Sequence, residues 1–158
     1  MTSAIRLEPW PGGAPPVGPA DAALAAETVA ILTERPRAAP WGCYLAWAGD
    51  EVVGICAFKG APDREGTVEI AYLTLPAQVG RGHATAMIAA LAEIAAAGRA
   101  VCIIAHTAPE MNASARALAR NGFAMLEEVD DPEDGPVWYW ERELETAEAG
   151  ARTPNRFD

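Results

Sequence analysis

Residues 68–105 read VEIAYLTLPAQVGRGHATAMIAALAEIAAAGRAVCIIA, and this stretch decides the fold. Val68 to Leu75 reads as a strand that Pro76 ends. A glycine-bearing loop opens a long helix, Gly82 to Ala97, whose apolar stripe is Met87, Leu91, Ile94 and Ala95, with Gly98 placed to close it. Val101 to Ala105 is an uninterrupted apolar run, the mark of a strand buried on both faces. Strand, helix and buried strand make a crossover unit, so the two strands should lie parallel.

Working outward, Tyr44 to Ala48 and Val52 to Phe58 flank the turn pair Gly49-Asp50 and read as a hairpin. Upstream, Ile5 to Trp10 is a short first strand, and the proline- and glycine-rich Pro9 to Pro19 is a non-regular connector. Asp21 is placed to cap a helix running to about Glu34, with Leu24, Thr28, Ile31 and Leu32 at helical spacing and Pro36 stopping it. Downstream, a second helix over about Asn112 to Arg120 closes at Asn121-Gly122. Phe123 to Val129 and Val137 to Arg142 form a terminal hairpin. The expected fold class is therefore α/β in the mixed, α+β sense: a central twisted sheet of about six to seven strands flanked by helices. It occupies one domain over 1–145, with a patternless polar tail over 146–158.

The chain has 158 residues, 51% hydrophobic and 22% charged, enough to bury a core and too apolar for disorder throughout. No apolar run reaches membrane-spanning length, and there is no basic-then-apolar leader, so neither a membrane span nor export is expected. The formal charge is −10, but it is concentrated. Residues 127–148 carry ten acids against Arg142 alone, which leaves the remainder nearly neutral. This balance argues against nucleic acid or an anionic membrane as partner and would steer a cationic one favourably; a solvated acidic edge is the plainer alternative. Cys43, Cys56 and Cys102 are scattered through apolar stretches without a CxxC pair, as buried thiols in a reducing cytoplasm would be. With only His83 and His106 besides, no metal site is expected.

The chemistry centres on Val79-Gly80-Arg81-Gly82-His83-Ala84. Two glycines let the backbone approach a ligand, and the helix start offers unpaired N–H groups and a positive dipole end, a setting for pyrophosphate with Arg81 beside it. A tight turn that merely needs glycine fits the same residues. A Walker loop requires Gly-Lys-Ser/Thr, but Lys59 is the only lysine. A dinucleotide fingerprint requires glycine where Thr85 stands and an acid where Ala105 and His106 stand.

Glu69-Ile-Ala-Tyr-Leu-Thr-Leu-Pro76, Val79-Gly-Arg-Gly-His-Ala84 and Asn112-Ala-Ser-Ala-Arg116 through Asn121-Gly-Phe123, in this order, resemble the GNAT acyltransferase superfamily. The resemblance is closest to the branch holding the ribosomal-protein N-terminal acetyltransferases, and covers roughly Val52 to Glu141. It implies acetyl-CoA as acyl donor and an acceptor that is a small-molecule or peptide amine. It also implies that the pyrophosphate binds the backbone N–H groups of Val79, Gly80, Arg81, Gly82, His83, Ala84 and Thr85. The pantetheine arm would bond the main chain of Leu73, Thr74 and Leu75, with an oxyanion donor near Leu75, and Asn112, Ser114 and Arg116 would line the channel. The sequence departs from the family at Val79, where Gln or Arg is usual and Gln78 stands beside it. It departs again at Leu118, where many members carry a tyrosine that protonates the leaving thiolate; either the thiolate leaves unassisted or another group, such as Ser114, His106 or Tyr72, serves.

Acyl transfer to an amine needs a base. Glu69 is the candidate: alternation puts it on one face with Ala71, Leu73 and Leu75, an apolar setting that would raise its pKa. A carboxylate at the strand's wet end is the alternative. His106 ends the second strand, where such sheets place ligands; a structural histidine fits as well. His83 reads as solvent-facing. Trp138, Tyr139 and Trp140 pack the sheet, with alternate ones free to wall an acceptor pocket. A catalytically silent acyl-CoA-binding module on the same fold is the rival reading, and both a monomer and a homodimer remain open.

Overall fold

The computed structural model describes residues 4–144; the expected tail over 146–158 lies outside them. The elements are β1 (Arg6–Pro9), α1 (Ala22–Leu32), β2 (Cys43–Ala48), β3 (Glu51–Phe58), β4 (Thr67–Thr74), a 3₁₀ turn (Pro76–Gln78), α2 (His83–Ala97), β5 (Cys102–Thr107), α3 (Ala113–Arg120), β6 (Ala124–Asp131) and β7 (Gly135–Glu143). They form one seven-stranded mixed sheet in the order β1-β2-β3-β4-β5-β7-β6. The mixed α/β class expected from the sequence is the one found. So is the parallel pairing of β4 with β5 across the α2 crossover.

Alternation along the strands sorts side chains onto two faces. Tyr44 and Ala46 of β2, Val68 and Ile70 of β4, and Ile103 and Ala105 of β5 pack with Met87, Ile88 and Leu91 of α2 and Leu118 of α3. Cys43 and Leu45 of β2, with Ile55 and Ala57 of β3, pack instead with Ala25 and Val29 of α1. Hence α1 covers one face and α2 with α3 the other.

The structure departs from the sequence expectation at three points. The strand buried on both faces is β3, sandwiched between α1 and α2, whereas β5 alternates, with Ile103 and Ala105 buried and His106 exposed. The outer face of β5 lies beyond the reach of α1, which contacts β3. Helix α1 buries Ala25 and Val29, leaving Leu24 at 37% and Ile31 at 61% exposed, because small side chains permit the close approach to β3. Finally, Asp21 occupies the N-cap position of α1 in helical backbone, where its buried carboxylate makes no capping bond.

The feature that positions the site is a gap. Parallel pairing of β4 and β5 covers only Thr67–Glu69 against Cys102–Ile104. Past that point β4 stays on β3 to Thr74, while β5 follows β7 to Thr107. The two strands part like a wedge, and the sheet is open between them.

Candidate functional site

Two cavities meet in that wedge. The first, about 490 Å³, lies between the end of β4, the start of α2 and α3. The second, about 420 Å³, runs from Lys59, Glu69 and His106 to the hairpin residues Asp134, Pro136 and Val137. Tyr72 and Ser114 line both. The Tyr72 hydroxyl lies 2.9 Å from Ser114 Oγ, so this hydrogen-bonded pair stands at the junction. Burial pushes the Tyr72 phenol above its ordinary pKa, only partly offset by Ser114, and it stays protonated through the neutral range.

The first cavity holds the glycine loop. Gly80 and Gly82 both adopt left-handed backbone, φ +83° and +81°, which turns the chain sharply into α2 and would strain any side chain. The first intrahelical bond runs from the Ala86 N–H to the Gly82 carbonyl at 3.2 Å, so the amides of His83, Ala84 and Thr85 are the unpaired donors of a helix start. Arg81 is held against Gln78 Oε1 at 3.2 Å. Gln78 is itself buried, so it anchors Arg81 and leaves Val79, 62% exposed, at the rim. Across the cavity stand Arg116 and Arg120 of α3, whose spacing with Ala113 and Ala117 is one helix face. A chain of net charge −10 thus presents arginines where an anion would sit.

Several expected ligand contacts are placed differently. The Leu75 N–H donates to the Val53 carbonyl at 2.9 Å, and the Glu69 carbonyl accepts from the Lys59 N–H at 2.8 Å. Alternation then turns the main chain of Leu73 and Leu75 toward β3, and that of Ile70, Tyr72 and Thr74 toward the wedge. An oxyanion donor at Leu75 is excluded by its bond; Tyr72 and Thr74 have the required direction. Asn112 does not reach the cavity: its Oδ1 caps α3 by accepting from the Ala115 N–H at 2.9 Å. The Arg116 guanidinium donates to the Met111 carbonyl at 2.9 Å, which fixes it at the cavity wall. Thr85 lines the cavity while its carbonyl accepts from Asn121 Nδ2 at 3.0 Å. His83 faces inward and is 4% exposed, contrary to the solvent-facing position expected.

In the second cavity Glu69 Oε2 lies 3.0 Å from His106 Nδ1 and 3.4 Å from Lys59 Nζ. The apolar setting expected for Glu69 is corrected: its immediate partners are polar, since Lys59 stands opposite it across the β3–β4 hairpin and His106 reaches over from β5. Tyr139 backs the imidazole, with ring centroids 5.5 Å apart. Trp140, on the other face, donates to Thr107 Oγ1 at 2.9 Å inside the core. The sequence offered signals for what it left out: the hairpin register pairs Lys59 with Glu69, and helical spacing brings Arg120 beside Arg116; strand parity likewise puts Tyr72, a named candidate, on the α3 side. Leu118 is fully buried in the core, so no hydroxyl reaches the site from there. Among the described residues, no group of three or more His, Cys, Asp or Glu is disposed to hold a metal ion, and no helix is long and apolar enough to cross a membrane.

Comparison with known proteins agrees with this architecture. The family described as "Acetyltransferase (GNAT) domain" matches residues 3–124. No curated protein sequence matches the chain. Among solved structures, Mycobacterium smegmatis RimJ in complex with CoA-disulfide is 20% identical with a TM-score of 0.59, the match covering 72% of this chain and 59% of that one. The aminoglycoside acetyltransferase AAC(6')-Ib with coenzyme A and kanamycin is 23% identical with a TM-score of 0.57, covering 72% and 70%. The putative acetyltransferase yncA of Salmonella typhimurium with acetyl-CoA is 19% identical with a TM-score of 0.57, covering 66% and 65%. At these identities the likeness is one of fold, and the chain spans less than two thirds of the RimJ chain.

Proposed function

The chain belongs to the acetyltransferase (GNAT) domain family, and on that premise we propose that it transfers an acetyl group from acetyl-CoA directly to a primary amine. The observation that carries this reading is the pair of cavities sharing Tyr72 and Ser114 in the wedge between β4 and β5. One is furnished for a polyanionic donor and the other for an amine, and they meet at a proton-bearing pair.

The donor cavity fits coenzyme A by its own chemistry. The amides of His83, Ala84 and Thr85 stand unpaired at a helix start, Arg116 and Arg120 line the cavity to offset phosphate charge with Arg81 held beside it on Gln78, and the free edge of β4 at Tyr72 and Thr74 suits an amide-bearing arm. When bound, acetyl-CoA supplies the thioester carbonyl that the amine attacks. In the acceptor cavity, Glu69 holds the His106 Nδ1–H and leaves Nε2 free to take the proton of an incoming ammonium, with the carboxylate stabilising the resulting imidazolium. Tyr72, kept protonated by burial, donates toward the departing sulfur and is resupplied through Ser114. Asp134 at the cavity wall favours a cationic acceptor. The kanamycin carried by the AAC(6')-Ib structure alongside coenzyme A is compatible with that charge.

A library of amines, from polyamines and aminoglycosides to peptide N-termini, tests the reading by thiol release from acetyl-CoA. At least one amine should support turnover. Glu69→Gln should lower kcat by ~10²–10⁴ while leaving coenzyme A affinity within about twofold. Turnover that is unchanged in the variant would remove Glu69 from the mechanism, and coenzyme A binding without turnover on any amine would favour the silent binding module.

A further inference from the structure

His83 is the first residue of α2, lines the donor cavity, and is 4% exposed. Its Nδ1 is shut off from solvent and has no hydrogen-bond partner in the protein. A buried polar nitrogen left unpaired is costly, and native structures rarely keep one without a use. The groups around it are Arg81 on its own loop, Glu51 at the start of β3, and, across the cavity, Arg116 and Arg120 of α3 and Tyr72 of β4. Arg81 and the positive end of α2 lie beside the ring, so in the free protein a proton there meets repulsion as well as poor solvation. A diphosphate seated on the same loop reverses that field.

Resting on the acetyl-CoA reading above, we propose that coenzyme A binding is coupled to proton uptake by His83, whose imidazole becomes the cationic partner of the bound diphosphate. The proton comes from bulk water and forms an N–H on the ring; no bond of the cofactor changes. Burial, then Arg81, hold the free imidazole below its ordinary pKa, partly opposed by Glu51, which leaves room for the anion to raise it. Affinity should then strengthen as pH falls through the bound-state midpoint and level off below the free-state midpoint. Each unit between the two midpoints is worth tenfold in Kd.

The probe is dephospho-coenzyme A, which keeps the diphosphate but lacks the 3′-phosphate, a group that itself titrates with a second pKa of about 6. His83 and His106 are the only histidines, so their imidazole resonances are assigned by His83→Gln or, should that variant not fold, by His106→Asn. The His83 midpoint should rise by at least about one unit on binding, and Kd should tighten at least about tenfold between pH ~8 and ~5. Calorimetry in buffers of different ionisation enthalpy should register net proton uptake that His83→Gln abolishes. Binding with an unmoved or lowered His83 midpoint overturns this inference alone. No heat with either dephospho-coenzyme A or coenzyme A overturns the acetyl-CoA reading and this inference with it.

Discussion

Replacing Gly80 by alanine isolates the backbone's share of the loop. The glycine sits at φ +83° with no heavy atom within 4 Å of where a Cβ would project, so the substitution adds strain without collision. Left-handed backbone costs an L-residue about 1–2 kcal/mol, while stiffening the unfolded chain returns about 0.4–1 kcal/mol. If the loop keeps its shape, stability falls by about 1 kcal/mol, which for a chain of this length is a Tm loss of about 2–4 °C. If instead the loop escapes to negative φ, stability is spared and the amides turn away from the cavity. Binding must then restore the strained form, and the coenzyme A Kd rises by about 5- to 30-fold. Thermal melts and calorimetric titration of the same samples divide the cost between the two. Gly80→Asn should recover part of either loss, because asparagine tolerates this conformation. A variant whose Tm moves by less than ~1 °C and whose Kd stays within about twofold would refute the argument that this φ shapes the site.

Leu118, fully buried beneath α3, should cost about 2–5 kcal/mol on truncation to alanine, read from denaturant midpoints. Burial pushes Cys43 and Cys102 up to about 11, and Cys56 higher still. Native thiols should therefore alkylate about a hundredfold more slowly than those of the unfolded chain near neutral pH, gaining speed only as pH approaches the raised values. Because the native state holds His83 below its ordinary pKa, the unfolded chain binds the extra proton. Stability from this residue is present above the unfolded-state pKa of about 6.5 and is lost as pH falls through the lowered native value. The Tm decline between pH ~7 and ~5 should be shallower in His83→Gln.

Most of the fold was legible because punctuation and period agreed. Gly49-Asp50, Pro76 and Gly98 fall at the element ends, and the apolar runs between them have the right lengths. The errors lie where size rather than polarity decides burial. In α1 the small Ala25 and Val29 seat against β3 while Ile31 faces out, an outcome set by how close the helix must come. The run Val101 to Ala105 is equally apolar on both sides, but α1 covers only one end of the sheet. The loop of the candidate site was readable as a glycine pattern. Main-chain directions at Leu73, Tyr72 and Leu75 were not, since they depend on which edge of β4 the partner strand takes. Likewise the spacing of Asn112 from the glycine loop carries no trace of the Ala115 amide that claims its side chain. The partnership of Glu69 with His106 spans two strands joined through a helix, a contact no local period reports.

The most direct test of the account is a backbone-amide NMR titration of the labelled protein with coenzyme A. Amides of Gly80, Arg81, Gly82, His83, Ala84 and Thr85 should show the largest shifts, followed by Tyr72 and Thr74 at the free edge of β4. Shifts confined to the separate cavity lined by Trp10, Arg37 and Cys43, or no shifts at all, would contradict it.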